Sequence, residues 1–112
     1  LTRVFVTLPV FDLGITGIVA ASDMMALGAI RAVRERGLAV PADVSIVGFD
    51  DLELASHLQP ALTTVHVPAE AMWQRAADRV LALLQGQDLP QDNEIEVSLV
   101  VRGSTAPPRR AR

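Results

Sequence analysis

One strand that runs straight into two adjacent carboxylates constrains this chain more than any other feature. Residues 44–49 form a continuous, mainly apolar run, and Asp50 and Asp51 follow it directly. Runs of this kind are typical of strands buried on both faces of a parallel sheet. The pattern therefore predicts an interior strand whose carboxyl end opens onto a polar turn.

Strand patterns and helix patterns alternate along the rest of the chain. Strands are predicted at 16–21, 44–49, 62–67 and 94–101, and helices at 24–36, 52–58 and 68–85. The connections between them are short. This order predicts an α/β fold, with a mostly parallel sheet flanked by helices.

The two longer helices carry clear end signals and apolar faces. Ser22 or Asp23 suits the N-cap of the first helix, and Gly37 suits a left-handed stop. Its predicted apolar face is Met25, Ala26, Ala29, Ile30 and Val33. The helix at 68–85 has a stripe made of Met72, Trp73, Ala76, Val80, Leu83 and Leu84, in which Met72 and Trp73 are expected to be core rather than ligand-stacking residues.

Composition excludes several classes of function. The chain has 112 residues, no cysteine and no lysine, so one domain is the most it can form and thiolate metal sites are excluded. Residues 1–101 hold six arginines against thirteen acids. Such an acidic body is a poor phosphate binder, because nucleic-acid affinity depends on clustered positive charge. No apolar stretch approaches the length of a membrane span, and no secretory signal is recognised.

Three polar residues follow the ends of two predicted strands. Ser22 and Asp23 follow the first strand, and Asp50 follows the second. Ligands of open α/β sheets bind beyond the carboxyl ends of the strands, and carboxylates accept hydrogen bonds from hydroxyl groups. This arrangement fits a polyhydroxylated ligand. The alternative is that Ser22 or Asp23 caps one helix and the Asp50–Asp51 pair caps the next, and capping and binding are compatible.

The sequence gives little support to an enzyme or a metal site. Adjacent residues such as Asp50 and Asp51 point in different directions at a strand end, so they need not share a site. His57 and His66 have no ligand-like spacing and are interpreted as exposed or hydrogen-bonded surface residues. The chain has neither a nucleophile elbow nor a glycine-rich phosphate loop. We therefore expect no catalysis, no cofactor and no metal.

Three apolar residues are surplus to the predicted core. Met24 and Leu27 lie on the charged face of the first helix, and Leu58 lies beside Pro60. Scattered apolar groups are common on protein surfaces. Clustered ones mark interfaces, so the alternative is a contact patch for a second copy of the chain.

Four stretches together resemble the LacI/GalR family of transcription regulators. They read Ala-Ala-Ser-Asp-Met-Met-Ala-Leu-Gly-Ala at 20–29, Gly-Leu-Ala-Val-Pro-Ala-Asp-Val-Ser-Ile-Val-Gly-Phe-Asp-Asp at 37–51, Pro-Ala-Leu-Thr-Thr-Val at 60–65 and Leu-Val-Val-Arg-Gly-Ser-Thr-Ala-Pro-Pro at 99–108. The resemblance covers residues 16–108. It implies a periplasmic-binding-protein-like (type I) fold, a sugar-like effector bound in a cleft, homodimerisation and a cytoplasmic location.

The resemblance also implies roles for individual residues. Asp50 matches an effector-contacting aspartate, and Asp23 matches the aspartate after an asparagine that often binds the effector. Ser22 stands in the place of that asparagine and is shorter, so the ligand or the manner of contact is expected to differ. Val67 replaces a residue that is often polar in sugar-binding relatives. Met24, Leu27 and the Leu52–Leu58 segment, with Leu58 at its end, match regions that form the dimer interface.

The resemblance further implies that this chain is part of a longer protein. Residues 16–106 match the C-terminal part of the effector-binding domain, residues 1–15 are unassigned, and 107–112 are expected to be a disordered tail. A helix-turn-helix that would contact DNA is not recognised here, nor is most of the first subdomain, against which 68–85 and 94–101 would pack. The alternative function is the solute-binding component of a sugar transporter, which shares the fold.

Overall fold

A four-stranded sheet organises the part of the chain that the structure, a computed structural model, describes, namely residues 13–91 and 94–109. The elements in chain order are β1 Gly17–Val19, α1 Asp23–Glu35, β2 Ser45–Asp50, α2 Glu53–His57, β3 Thr63–His66, α3 Ala69–Leu84 and β4 Ser98–Val100. The strands lie side by side in the order β1-β2-β3-β4. The predicted alternation of strands and helices in an α/β fold is confirmed.

The first three strands are parallel, and β4 pairs with β3 in the antiparallel direction. Because β1, β2 and β3 run the same way, their carboxyl ends meet at one edge of the sheet. Asp50, the last residue of β2, is the register partner of His66, the last residue of β3. The strand register therefore places these two side-chain positions next to each other at that edge.

Helix α1 covers one face of the sheet and forms the core with it. It begins at Asp23, one residue earlier than predicted, and ends before Gly37, whose φ of +73° suits a residue without a Cβ. Ala26, Ile30 and Val33 are buried against strand residues that include Ile46. Met25 and Ala29 pack partly against the same cluster, so the predicted apolar face is confirmed.

The segment after β4 runs past the amino ends of β2 and β3, at the end of the sheet away from Asp50. Ser104 is fully buried there: its Oγ donates to the Ile46 carbonyl at 2.6 Å and accepts from the Thr63 N–H at 2.8 Å. Further along, Arg109 pairs with Asp43 at 2.7 Å. Residues 107–109 of the predicted disordered tail thus belong to the described structure, whereas 110–112 lie outside the described residues.

The apolar stripe of helix α3, including Trp73, is not buried as a core helix would be. None of its residues is buried among the described parts of the chain, and Trp73 is 68% exposed. The expectation that Trp73 is core is therefore wrong within 13–91 and 94–109. The other expectation, that this stripe and the apolar side chains of 94–101 have no partner within the chain, holds for the described residues, since Leu99 and Val101 are also exposed.

Candidate functional site

A cavity of about 810 Å³ lies at the sheet edge where the parallel strands end. Asp50 and Asp51 line it from β2, and His66 and Val67 line it from the end of β3. The first residues of α2 and the first turns of α3 complete the wall. This is the position at which open α/β sheets bind ligands.

The two aspartates that end β2 have an unusual backbone. Asp50 has a φ of +108° and Asp51 a φ of +56°, in the region that side-chain-bearing residues rarely adopt, although aspartate tolerates it better than most. Such conformations cost free energy and occur preferentially at functional sites. Both residues line the same cavity, but their carboxylates differ in their hydrogen-bond partners.

Asp51 is bound within the protein. Its Oδ1 accepts a hydrogen bond from Arg102 Nη2 at 2.7 Å, and its Oδ2 lies 3.0 Å from His66 Nδ1. The hydrogen bond from Arg102 lowers the pKa of the Asp51 carboxyl below its ordinary value, as does the bond to His66, whereas partial burial opposes the shift. Arg102 also donates to the Leu62 carbonyl at 2.9 Å. It therefore fastens the turn after β2 to β3.

Replacing Arg102 with glutamine should lower the free energy of unfolding by about 1–3 kcal/mol, because the mostly buried Asp51 carboxylate loses a charged donor. The lowered pKa of Asp51 gives the pH dependence. The stabilisation is complete above the ordinary value of 3.8 and is lost as the pH falls through the lower value of the folded protein. Urea unfolding at neutral and acidic pH measures both effects.

Arg31→Gln is the matched control for that measurement. Arg31 pairs with Glu35 at 2.8 Å on the exposed face of α1, where 70% of the arginine side chain is accessible. Exposed pairs of this spacing contribute only about 0.3–0.5 kcal/mol. Equal losses in the Arg102 and Arg31 variants would contradict the structural role of Arg102.

Asp50 differs from Asp51 in having its carboxylate free. It makes no hydrogen bond or ion pair with any residue in the described ranges, and it lines the cavity. Nor does it cap α2, since that helix has no side-chain cap and its N-cap residue is Leu52. The capping alternative is therefore excluded for Asp50, and its acceptor oxygens remain available to a ligand.

Asp23 is placed beneath the sheet edge, with no exposed surface. Its Oδ2 accepts from the Leu52 N–H at 2.7 Å, and its Oδ1 accepts from the Thr64 hydroxyl at 2.5 Å. These bonds join the start of α1 to the start of α2 and to β3. Both oxygens are therefore engaged inside the protein.

Ser22 caps α1, as one of the two alternatives from the sequence predicted. Its Oγ accepts a hydrogen bond from the Met25 N–H at 3.2 Å. Neither Ser22 nor Asp23 lines the cavity. Of the three residues predicted to contact an effector, the structure brings only Asp50 to the cavity wall.

The residues of the predicted dimer patch are only partly accessible. Met24 is 56% exposed, whereas Leu27 and Leu58 are half-buried, and Leu58 packs partly against the core. Their place in a subunit interface stays a prediction.

Two residues of the site were not predicted. His66 was expected to be an exposed or hydrogen-bonded surface residue with no role in the site. It is close to half exposed and hydrogen-bonded to Asp51. Its position beside Asp50 follows from the strand register, which a pairing of the two predicted strand ends could have suggested. Arg102 carried no local signal, because its partners Asp51 and Leu62 lie about 40 to 50 positions away in sequence.

The described residues hold neither a metal-binding cluster nor a membrane-spanning helix. Within 13–91 and 94–109, no group of three or more His, Asp or Glu side chains is arranged to hold a metal ion. In the same part of the chain, no helix has the length and apolarity needed to cross a membrane.

Comparison with known proteins gives consistent matches. Residues 4–105 match the sequence model of the periplasmic binding protein-like domain. The chain is 53% identical over 92 residues to the HTH-type transcriptional regulator MalR of Streptomyces coelicolor, a match that covers 81% of this chain and 27% of that protein. The chain thus spans about a quarter of the length of this relative.

Solved structures show the same likeness in three dimensions. A dimeric Lac repressor with an 11-residue C-terminal deletion superposes with a TM-score of 0.79 and 41% identity, over 90% of this chain and 38% of the repressor chain. A complex of the transcriptional regulator CelR with cellobiose gives a TM-score of 0.79 and 35% identity, over 86% of this chain and 30% of CelR.

Proposed function

Because this chain belongs to the LacI/GalR family and carries its periplasmic binding protein-like domain, we propose that it is the effector-binding and dimerisation part of a transcription regulator. The effector is a sugar-like small molecule. The relatives reported above are transcriptional regulators, which favours this function over the solute-binding component of a transporter.

One observation carries the proposal, namely the free carboxylate of Asp50 on the wall of the cavity. The oxygens of the neighbouring Asp51, by contrast, are already bound by Arg102 and His66. An ionised carboxylate accepts hydrogen bonds and donates none, so it suits vicinal hydroxyl groups. We assign Asp50 the direct contact with the effector.

Asp23 and Ser22 then act on the effector site indirectly. Asp23 holds the start of α2, which forms part of the cavity wall, and Ser22 caps the helix that Asp23 begins. A role of this kind differs from the direct contacts predicted from the sequence, and it follows from burial of the Asp23 carboxylate.

The regulator works by linkage between two sites. An effector changes DNA affinity only if it binds one conformation of the two-lobed core better than the other. DNA would be contacted by a helix-turn-helix elsewhere in the full-length protein, which acts in the cytoplasm. Met24, Leu27 and Leu58 are proposed to contribute to the homodimer interface, and no catalytic step is assigned.

The function is tested by Asp50→Asn in the full-length protein. We expect the effector concentration for half-maximal change in operator binding to rise about 5- to 150-fold, because a charge-assisted hydrogen bond worth about 1–3 kcal/mol is weakened. Fluorescence anisotropy of a labelled operator, titrated with cellobiose and a panel of other neutral mono- and disaccharides, measures the change.

Asp88→Asn is the control, since it removes one carboxylate from an exposed loop outside the cavity. It should leave the response unchanged. An Asp50 variant that responds to sugars as the unmodified protein does would contradict the assignment of the site.

A further inference from the structure

We propose that His66 is a second effector-contacting residue, which accepts a hydrogen bond through Nε2 beside the carboxylate of Asp50. The inference rests on the proposed function, that is, on an effector bound in the cavity at the carboxyl edge of the sheet. It adds a specific demand on that effector, which must present two hydrogen-bond donors side by side.

His66 lies beside Asp50 at the carboxyl edge of the sheet. His66 is the register partner of Asp50 across the pair β2 and β3, and both residues line the cavity. Neighbouring strands of a sheet lie about 4.7–4.9 Å apart, so the two residues start from adjacent backbone positions. Groups that are this close can be bridged by adjacent hydroxyl groups of one ligand.

The contact with Asp51 fixes the position of the proton on the His66 imidazole ring. His66 Nδ1 lies 3.0 Å from Asp51 Oδ2. An ionised carboxylate only accepts hydrogen bonds, so Nδ1 must carry the proton. In the neutral ring Nε2 is then an acceptor, and it makes no hydrogen bond with any residue in the described part of the chain.

Asp51 is itself held in place by Arg102. Arg102 fixes its other oxygen at 2.7 Å and keeps its pKa low, so the carboxylate that orients His66 stays ionised. The series Arg102, Asp51 and His66 therefore presents one defined ring nitrogen to the cavity. Asp50 and His66 Nε2 together form a pair of acceptors that fits a vicinal diol.

Two substitutions separate contact with the effector from contact with Asp51. His66→Asn keeps an amide donor near the Nδ1 position, where it can still bind Asp51, but removes the group at Nε2. His66→Gln places an amide near the Nε2 position and leaves the Nδ1 position empty. If His66 binds the effector, the asparagine variant should lose affinity roughly 3- to 10-fold, and the glutamine variant should stay close to the unmodified protein.

The measurement is calorimetric titration of the full-length protein with cellobiose and the same panel of neutral sugars, together with thermal unfolding in the absence of sugar. A purely structural His66 gives the opposite order, with a lower melting temperature and weaker binding in the glutamine variant and unchanged behaviour in the asparagine variant. That result, or unchanged affinity in both variants, overturns the proposal for His66.

Different results would contradict the proposed function and the role of His66. If the unmodified protein binds a sugar and Asp50→Asn weakens it, but neither His66 variant does, the function stands and the inference falls. If the unmodified protein binds no sugar of the panel, the proposed function falls, and the role of His66 falls with it.

Discussion

Replacing Asp23 with alanine should lower the free energy of unfolding by about 2–6 kcal/mol, because it leaves one buried and one partly buried donor without an acceptor. The Leu52 N–H and the Thr64 hydroxyl both depend on this carboxylate, at 2.7 Å and 2.5 Å. Each unsatisfied buried donor costs about 1–3 kcal/mol. Urea unfolding of the full-length protein measures the loss, and hydrogen exchange at the Leu52 amide should become faster.

A double-mutant cycle with Thr64→Val isolates one of the two bonds. Thr64 is fully buried, and valine keeps its shape while removing the hydroxyl. The two substitutions should couple by about 0.5–3 kcal/mol, the range for residues in one hydrogen-bond network. Asp88→Ala, on an exposed loop, is the control and should change stability by less than about 0.5 kcal/mol.

The Asp23→Ala variant also distinguishes the two roles considered for Asp23. A direct effector contact, as the sequence predicted, would leave the unfolding midpoint unchanged and abolish the response to sugar. If the Asp23 carboxylate instead binds groups inside the protein, its removal lowers the unfolding midpoint. An unchanged midpoint would therefore contradict the positioning role that the buried geometry supports.

The local parts of this fold were predictable because their signals are local. The apolar face of α1 and the glycine stop at Gly37 depend on residues within a few positions of each other, and both are confirmed. The reversed direction of β4 has no such signal. Its pairing with β3 joins segments more than 30 residues apart, so alternation along the strand could not reveal its direction.

The candidate site was predictable only in part, and for the same reason. Sequence order placed Asp23 and Asp50 at two strand ends, and the parallel sheet does bring those ends to one edge. Spacing could not show that Asp23 points inward, because its partners Leu52 and Thr64 lie 29 and 41 residues away. Trp73 was misplaced because an amphipathic stripe shows that a helix has an apolar face, but not whether a partner covers it in the described structure.

Gly48→Ala should destabilise the protein as strongly as the loss of Asp23 does, by roughly 2–6 kcal/mol. Gly48 lies in β2 directly against the carboxylate of Asp23, and an added Cβ would overlap Asp23 Oδ1 and lie 2.9 Å from Leu62 Cδ2. Overpacking of this kind costs about 1–3 kcal/mol, and displacement of the carboxylate adds about as much again through its two hydrogen bonds. The unfolding midpoint in urea is the readout.

Gly17→Ala is the matched control, because Gly17 is also a strand glycine, yet the nearest atom to an added Cβ is the Ser45 carbonyl oxygen at 4.0 Å. This variant should be neutral or slightly more stable, since alanine restricts the unfolded chain. Combining Gly48→Ala with Asp23→Ala removes the overlapping atom, so the double variant should lose clearly less stability than the sum of the two single losses. Simple additivity would mean that Gly48 and Asp23 do not interact, and that β2 requires glycine here for a reason other than the approach of the carboxylate.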